Sequence, residues 1–436
     1  MGSNPIPGSI GPLSLDKSMK QTINQTFTSE LSGSLLSFNQ PELTFDTVII
    51  RFAGEIGIKA DWTRKLYERR LVKNIKAVLK HYAISYEALN RMFGRLYLKT
   101  SEAQRVSQKL AKVFGASSFS SALETTSKLD DIVDASVRAA GFRLEKERSF
   151  AVRCRRVGKH PYTSQEICRQ VGRLILDTYS QLGLRVDLKH PDVTLGVEVR
   201  DNRAFIFADT VKGVGGLPLG TQPKLVCLLT DDVNSAVACW LTMKRGCPTV
   251  LVYFDNSPFI KTSRLDSVLN HAQALSEWSI GFPRKLRIIS NSQNVAEIVG
   301  KCPRELTDFL CKRLMFRIAE RIAELEKAEG LVTGETLGDK PGLTPHDFRI
   351  EDEAVANYPI YRPVQGFDCS EIAQFARKMG ITEPFVPKIS KRGPVSRKRS
   401  RVASLNLEDL KHAEEKLLKI DEMVEASMKS LFCRAL

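Results

Sequence analysis

The chain has 436 residues, too many for one compact core and enough for two or three domains, and its 42% hydrophobic content is ample for buried interiors. Lysine and arginine number 65 against 50 acidic residues, and the net charge of +15 favours a polyanionic partner, nucleic acid or an anionic membrane. No apolar run approaches the roughly 20 residues of a membrane-spanning helix, so a soluble protein with no membrane partner is expected.

In chain order, residues 1 to 45 are rich in Ser, Thr, Asn, Gln and Pro, contain no Arg, and read as a disordered leader rather than a transit peptide. TVIIRF at Thr47 to Phe52 reads as a strand. An amphipathic helix follows from about Trp62 to His81, with Leu66, Leu71, Ile75, Val78 and Leu79 on its apolar face and Arg/Lys elsewhere. GRLYLKT predicts a strand and Ala103 to Phe114 a helix, giving a small α+β domain over 46–115. A second α+β unit, 116–213, contains a helix near Leu129 to Ala140, the strand SFAVRCRRV and a helix from Ser164 to Leu182. Its strands VTLGVEVR and AFIFADTV are joined by an Asp201-Asn202 hairpin turn. GVGGLPLG, Gly213 to Gly220, has the composition of a flexible hinge.

Beyond it the pattern changes. KLVCLL, TVLVYFD, KLRIIS and LVTGE predict strands, and helices are predicted from Ser235 to Lys244 and from Thr307 to Glu329. That alternation is a doubly wound parallel sheet over 221–385. The tail, 386–436, reads as a basic linker followed by a charged helix from Leu407 to Leu431. KISKRGPVSRKRSR, Lys388 to Arg401, holds seven cations in fourteen positions and reads equally as a phosphate-contacting arm or a solvated linker. Nine cysteines form no C-x-x-C pair, which argues against a zinc ribbon or disulfide framework and for a reducing, cytoplasmic setting.

The segment FAVRCRRVGKHPYTSQEICRQVG resembles the RNA-binding THUMP core of tRNA 4-thiouridine synthetases, and LKHPDVTLGVEVR resembles its second signature. RFAGEIGIK with KNIKAVLK is similar to that family's N-terminal ferredoxin-like domain. LLTDDVNSAVACWLTMKRG falls where the family carries its PP-loop, and CKRLMFRIAERIAE, LVTGETLG and PIYRPVQGFDCSEI resemble later segments. The resemblance covers about 380 residues in order. It implies α+β ferredoxin-like and THUMP domains followed by an α/β PP-loop domain. It also implies a tRNA partner, a possible homodimer as in relatives, and ATP-dependent activation of uridine 8 for sulfur transfer, with a sulfur-donor or modification-complex protein as a further partner.

Arg153, Arg155, Arg156, Lys159 and His160 crowd one strand and its exit loop, with Arg153 and Arg155 on one face and Arg156 on the other. Gly158 suits close phosphate approach, and Tyr162 offers a flat face for stacking. Arg169 and Arg173 lie one helical turn apart and, with Lys189 and His190, extend the basic surface. For any single cation a solvated face explains as much; the whole string favours RNA.

The catalytic half departs from the family. A PP-loop reads S-G-G-x-D-S, its glycines letting backbone N–H groups reach phosphate. Here the positions are Thr230, Asp231, Asp232, Val233, Asn234 and Ser235. A carboxylate about 4 Å from a phosphate charge repels it by roughly 4 kcal/mol at an effective dielectric near 20. A helix N-terminus returns under about 2 kcal/mol. Mg²⁺ bridging carboxylates and phosphates would rescue ATP binding; the simpler reading makes Asp231 and Asp232 helix caps. Cys311 precedes Lys312-Arg313, but the family's partner cysteine is Asp308 here, and the later cysteine position falls at about Phe385 or Val386. No iron–sulfur cluster is therefore expected, and Cys302 and Cys369 read as ordinary buried thiols. Gly334 and Glu335 sit at a strand end where ligands usually bind. The expectation is a tRNA-binding member of the family with lost or altered uridine activation; the alternatives are an active synthetase with an atypical ATP site and external sulfur donor, or a basic protein-binding scaffold.

Overall fold

β-Branched and aromatic residues form the strand Thr47–Phe52 (β1), whose first four side chains are buried. The computed structural model describes residues 44–92, 94–259, 265–337, 344–355, 357–381, 406–417 and 419–436. The leader up to residue 43, the Lys388–Arg401 run, and Phe385 and Val386 lie outside them.

After β1 come α1 (Gly54–Gly57), α2 (Asp61–His81), β2 (Ala88–Met92), β3 (Arg95–Lys99), α3 (Ala103–Leu110) and β4 (Ala116–Thr126). The second unit adds α4 (Leu129–Gly141), β5 (Ser149–Val157), α5 (Ser164–Thr178), β6 (Arg185–Val186), β7 (Val193–Arg200), β8 (Arg203–Phe207) and β9 (Val211–Lys212). One nine-stranded sheet runs through both units in the order β2-β3-β1-β4-β8-β7-β5-β6, with β9 beside β4. The expected boundary at residue 115 falls at the start of β4, an eleven-residue strand that pairs with β1 along one part and β8 along another. Sharing that strand fixes one unit against the other through backbone hydrogen bonds.

Gly213 to Gly220 is not the hinge its composition suggests. Val214, Leu217 and Leu219 are buried in it, the Leu217 amide donates to the Lys244 carbonyl at 3.0 Å, and the Asn74 amide donates to the Leu219 carbonyl at 3.0 Å. The glycines serve contact instead: Gly216 (φ +72°) lies so close to Lys244 that a Cβ would overlap that residue's backbone.

The third unit runs β10 (Leu225–Leu228), α6 (Val233–Lys244), β11 (Thr249–Asp255), α7 (Leu265–Ser276), β12 (Lys285–Ser290), α8 (Ser292–Lys301), α9 (Thr307–Glu326), β13 (Leu331–Val332), α10 (Pro345–Asp352), β14 (Ile360–Tyr361) and α11 (Cys369–Met379). The tail supplies α12 (Leu407–Glu414), α13 (Ile420–Lys429) and β15 (Phe432–Ala435). Sheet order is β14-β13-β10-β11-β12-β15, parallel except for β15. Helices α6, α7 and α11 cover one face and α8, α9, α10, α12 and α13 the other, so β10 is buried on both sides.

The tail corrects a second expectation. The single helix read from Leu407 to Leu431 is two helices, and the last residues pair with β12 as an edge strand. Leu410 and Ala413 on α12, with Met423 and Val424 on α13, bury against α9, so the chain bends to keep both apolar faces inward. Arg313, 1% exposed, holds α12 in place: its Nε donates to Glu414 at 2.8 Å, with Glu353 at 2.8 Å and the Ile350 carbonyl as further acceptors. Among the described residues no helix is long and apolar enough to cross a membrane.

Candidate functional site

The basic strand is β5. Its first four residues are buried and its remainder alternates, because the strand leaves the sheet interior for the surface. Arg153 and Arg155 are exposed, while Arg156 is half-buried and turns back to donate to the Gly158 carbonyl at 3.2 Å. Arg153 donates to the Leu188 carbonyl at 2.8 Å. Lys159 is exposed, and His160 Nε2 lies 2.6 Å from the Asp201 carbonyl, pinning the exit loop to the β7–β8 hairpin. Gly158 (φ +108°) permits this approach, since a Cβ would come 2.8 Å from the Asp201 carboxylate.

Tyr162 departs from its predicted role. Only 6% exposed, its ring stacks on His160 and its hydroxyl donates to the Ser127 carbonyl. The ring secures the start of α5, beside the Thr163–Glu166 capping box, and presents no open face to a base. Arg169 is exposed on α5, and Lys189 is exposed in a turn whose amides donate to Asp187.

Sequence reading missed a cleft on this face. Arg51, Arg64, Arg91, Arg95 and Arg155, with Glu68, line a cleft of about 640 Å³ between the first unit and β5. At its base Arg51, Arg95 and Arg200 converge on the single carboxylate of Glu198, at 3.0, 2.9 and 3.0 Å. Glu198 lies opposite Arg155 in the β5–β7 register. Burial lowers the Arg95 pKa from its ordinary value; Glu198 opposes this, and the like charges of Arg51 and Arg200 reinforce it. Three guanidinium groups on one carboxylate leave surplus positive charge in a partly dry cleft, an arrangement that accepts phosphate. The alternation GRLYLK places Arg95 on the face opposite Leu96, and VEVR does the same for Glu198 and Arg200. That much was legible; which strands would meet was not.

The nucleotide-loop positions lie together at the C-terminal end of β10. Asp232 is the N-cap of α6, its carboxylate accepting the Asn234 amide at 3.0 Å. The Thr230 amide donates to Ser235 Oγ at 3.0 Å, the Asp232 amide to Thr230 Oγ1 at 3.2 Å, and the Ser235 amide to the Asp232 carbonyl at 3.1 Å. Four amides of the loop, those of Thr230, Asp232, Asn234 and Ser235, thus have acceptors within it. Asp231 is half-buried beside the cap. Gly334 abuts the start of α6, where a Cβ would overlap the Ser235 backbone, and buried His271 places Nδ1 3.2 Å from the Thr230 carbonyl.

Glu335 is engaged from two sides, by Lys312 and by Arg362 Nε at 2.8 Å. Lys312 also meets Glu351 at 2.7 Å, and Arg362 meets Asp352 at 2.6 Å while lying over the Phe348 ring. Burial pushes the Cys311 thiol up to about 12, aided by Asp308 and Cys302, and burial likewise raises Cys302. Both are therefore protonated at neutral pH. Cys369 is exposed at the first turn of α11, contrary to the buried thiol expected there.

Comparison with known proteins finds three matching families along the chain. Residues 47–120 match a family described as ThiI ferredoxin-like domain, 126–209 the THUMP domain, and 220–418 Thiamine biosynthesis protein (ThiI). A probable tRNA sulfurtransferase of Methanosarcina acetivorans is 36% identical over 337 residues, covering 77% of this chain and 81% of the relative. Its counterpart in Methanosarcina mazei is 35% identical over 387 residues, covering 88% and 94%. The crystal structure of a 4-thiouridine synthetase–RNA complex with bound ATP superposes with a TM-score of 0.79 at 29% identity, covering 90% of this chain and 99% of that one.

Proposed function

The chain belongs to the tRNA sulfurtransferase (4-thiouridine synthetase) family, and from that premise we propose that it docks tRNA on the β5 face and arginine cleft while its nucleotide loop has lost or altered the family's uridine activation. A reducing compartment suits its nine free cysteines. Arg153, Arg155, Lys159, Arg169 and Lys189 are exposed cations on or beside this face, and the cleft adds a surplus of guanidinium charge where a phosphate would sit.

One observation carries the catalytic half of the reading: side chains and carbonyls of Thr230, Asp232 and Ser235 occupy the loop amides. ATP would have to displace these acceptors and approach two carboxylates, so the residues present fit a triphosphate poorly. The alternative, an active synthetase using an atypical ATP site and an external sulfur donor, draws on the superposition with the ATP-bound relative.

The separating experiment is tRNA-dependent release of pyrophosphate from ATP, with mass spectrometry of the tRNA for 4-thiouridine. The proposal expects neither product from this chain and measurable nucleotide binding only in the Asp231→Gly/Asp232→Gly variant. Turnover by the unmodified chain establishes the alternative. Unchanged nucleotide affinity in the double variant removes the aspartates as the cause.

A further inference from the structure

Helix α2 carries its polar residues in an order that packing alone does not require. Leu71, Ile75, Val78 and Leu79 bury its inner face. Leu66, expected to join them, is 42% exposed, and it stands beside Trp62 at 73% and Ile58, in the turn before the helix, at 84%. At 100° per residue, Trp62, Leu66, Arg69, Lys73, Lys76 and Lys80 fall within about 40° of one line along the helix, which spans about 27 Å. All six are exposed. The acidic residues of α2 are Asp61, paired with Arg64 and Lys65, and Glu68, buried against Arg91. The outer face of α2 is thus an aromatic platform leading into a track of four cations, with no carboxylate on that line.

We infer that this face is a single-stranded RNA track: an unpaired nucleobase stacks on Trp62, and the phosphates beside it run along Arg69, Lys73, Lys76 and Lys80. Stacking is indifferent to base identity because every base has a π-face, and the cations supply sequence-independent affinity. Two observations favour RNA over other occupants. The cationic track has charge complementarity only with a polyanion. The exposed indole of Trp62 at the head of that track also offers a π-face to an unpaired base. An acidic protein would match the lysines but leave Trp62 without a partner of its own kind. The inference rests on the tRNA-docking reading above.

The experiment uses the intrinsic fluorescence of the full chain. Of its three tryptophans, Trp240 is fully buried and Trp278 is 7% exposed, so emission accessible to acrylamide comes from Trp62. Titration with a short single-stranded oligoadenylate is expected to quench that emission, and a blunt duplex to leave it unchanged. Trp62→Ala is expected to abolish the quench and weaken oligoadenylate binding roughly five- to a hundredfold, with Trp62→Phe recovering part of the affinity. The fold tolerates either change because the ring is mostly in solvent.

Equal oligoadenylate affinity in Trp62→Ala and the parent overturns the inference; if Arg153→Ala/Arg155→Ala/Lys159→Ala still weakens tRNA binding, the docking reading survives. Emission that shifts with protein concentration alone assigns the face to a second copy of the chain. A blue shift on anionic vesicles alone assigns it to a lipid surface. Either result overturns the RNA track. Absence of any RNA binding by the parent chain sinks both this inference and the reading beneath it.

Discussion

Two regions of this chain gather hydrogen-bond donors, and they stand in opposite states. In the arginine cleft, three guanidinium groups share one carboxylate and more line the walls, so positive charge exceeds what the protein itself supplies to balance it. In the Thr230–Ser235 loop the amides of Thr230, Asp232, Asn234 and Ser235 already meet loop oxygens, and two carboxylates stand beside them. Surplus charge leaves the cleft able to take an anion, whereas each donor already satisfied in the loop has less to offer one. Both lie within one recognisable family frame, so family membership and site chemistry have to be argued separately.

The sharpest way to break the contrast is to remove Glu198. In Glu198→Ala three guanidinium groups, Arg200 among the most buried at 2% exposure, face one another without a counter-charge. The expected loss is about 3–5 kcal/mol in urea unfolding, partly restored by inorganic phosphate or sulfate, which would take the carboxylate's place. A variant as stable as its parent would mean that the cleft holds no surplus.

Next in size is the exposed string. Arg153→Ala/Arg155→Ala/Lys159→Ala should weaken tRNA binding about a hundredfold near physiological salt and flatten the dependence of log K on log salt by about 2–3 units. Stability should move by less than about 1 kcal/mol, because these side chains are exposed. An unchanged salt slope would place the phosphate contacts elsewhere.

The carboxylate latch of the tail gives a comparison with balanced charge. Burial alone would raise Glu414, yet hydrogen bonds from Arg317 and Arg313 outweigh it and hold its pKa below the ordinary 4.5. A lowered folded value means that its stabilisation is complete above about 4.5 and fades as pH falls through that lower value. Glu414→Gln should therefore cost about 2 kcal/mol at pH 7, and the gap to the parent should narrow in acid. A gap independent of pH would remove the latch as its source.

Much of this was legible in the sequence. Strands such as Ser149–Val157, Val193–Arg200 and Thr249–Asp255 have the bounds that their alternation or apolar runs announce. Of the two aspartates expected to cap the helix, Asp232 is the N-cap, because Asp before a helix has a local partner, and Asp231 is the residue before it. The Glu198 cluster was not readable. Arg51 and Arg95 lie more than a hundred residues before Glu198 and Arg200, and only strand order β3-β1-β4-β8-β7 brings the two pairs together. The Gly213–Gly220 stretch misled for a related reason: glycine marks both freedom and close contact, and tertiary packing decides which.

Tyr162 tests the comparison at its smallest scale. An aromatic residue in a basic loop satisfies the sequence rule for base stacking, but a ring 6% exposed can stack only on what the protein places there, here His160. Tyr162→Phe keeps the ring and deletes the hydroxyl that donates to Ser127. The variant should lose about 1 kcal/mol of stability and bind tRNA as its parent does, because the hydroxyl is spent inside the fold. Trp62, the exposed aromatic, should behave in reverse, changing RNA affinity and leaving stability alone. Burial then determines which aromatic of a basic face reads RNA. A tenfold loss of tRNA affinity in Tyr162→Phe at unchanged stability would return this ring to the interface.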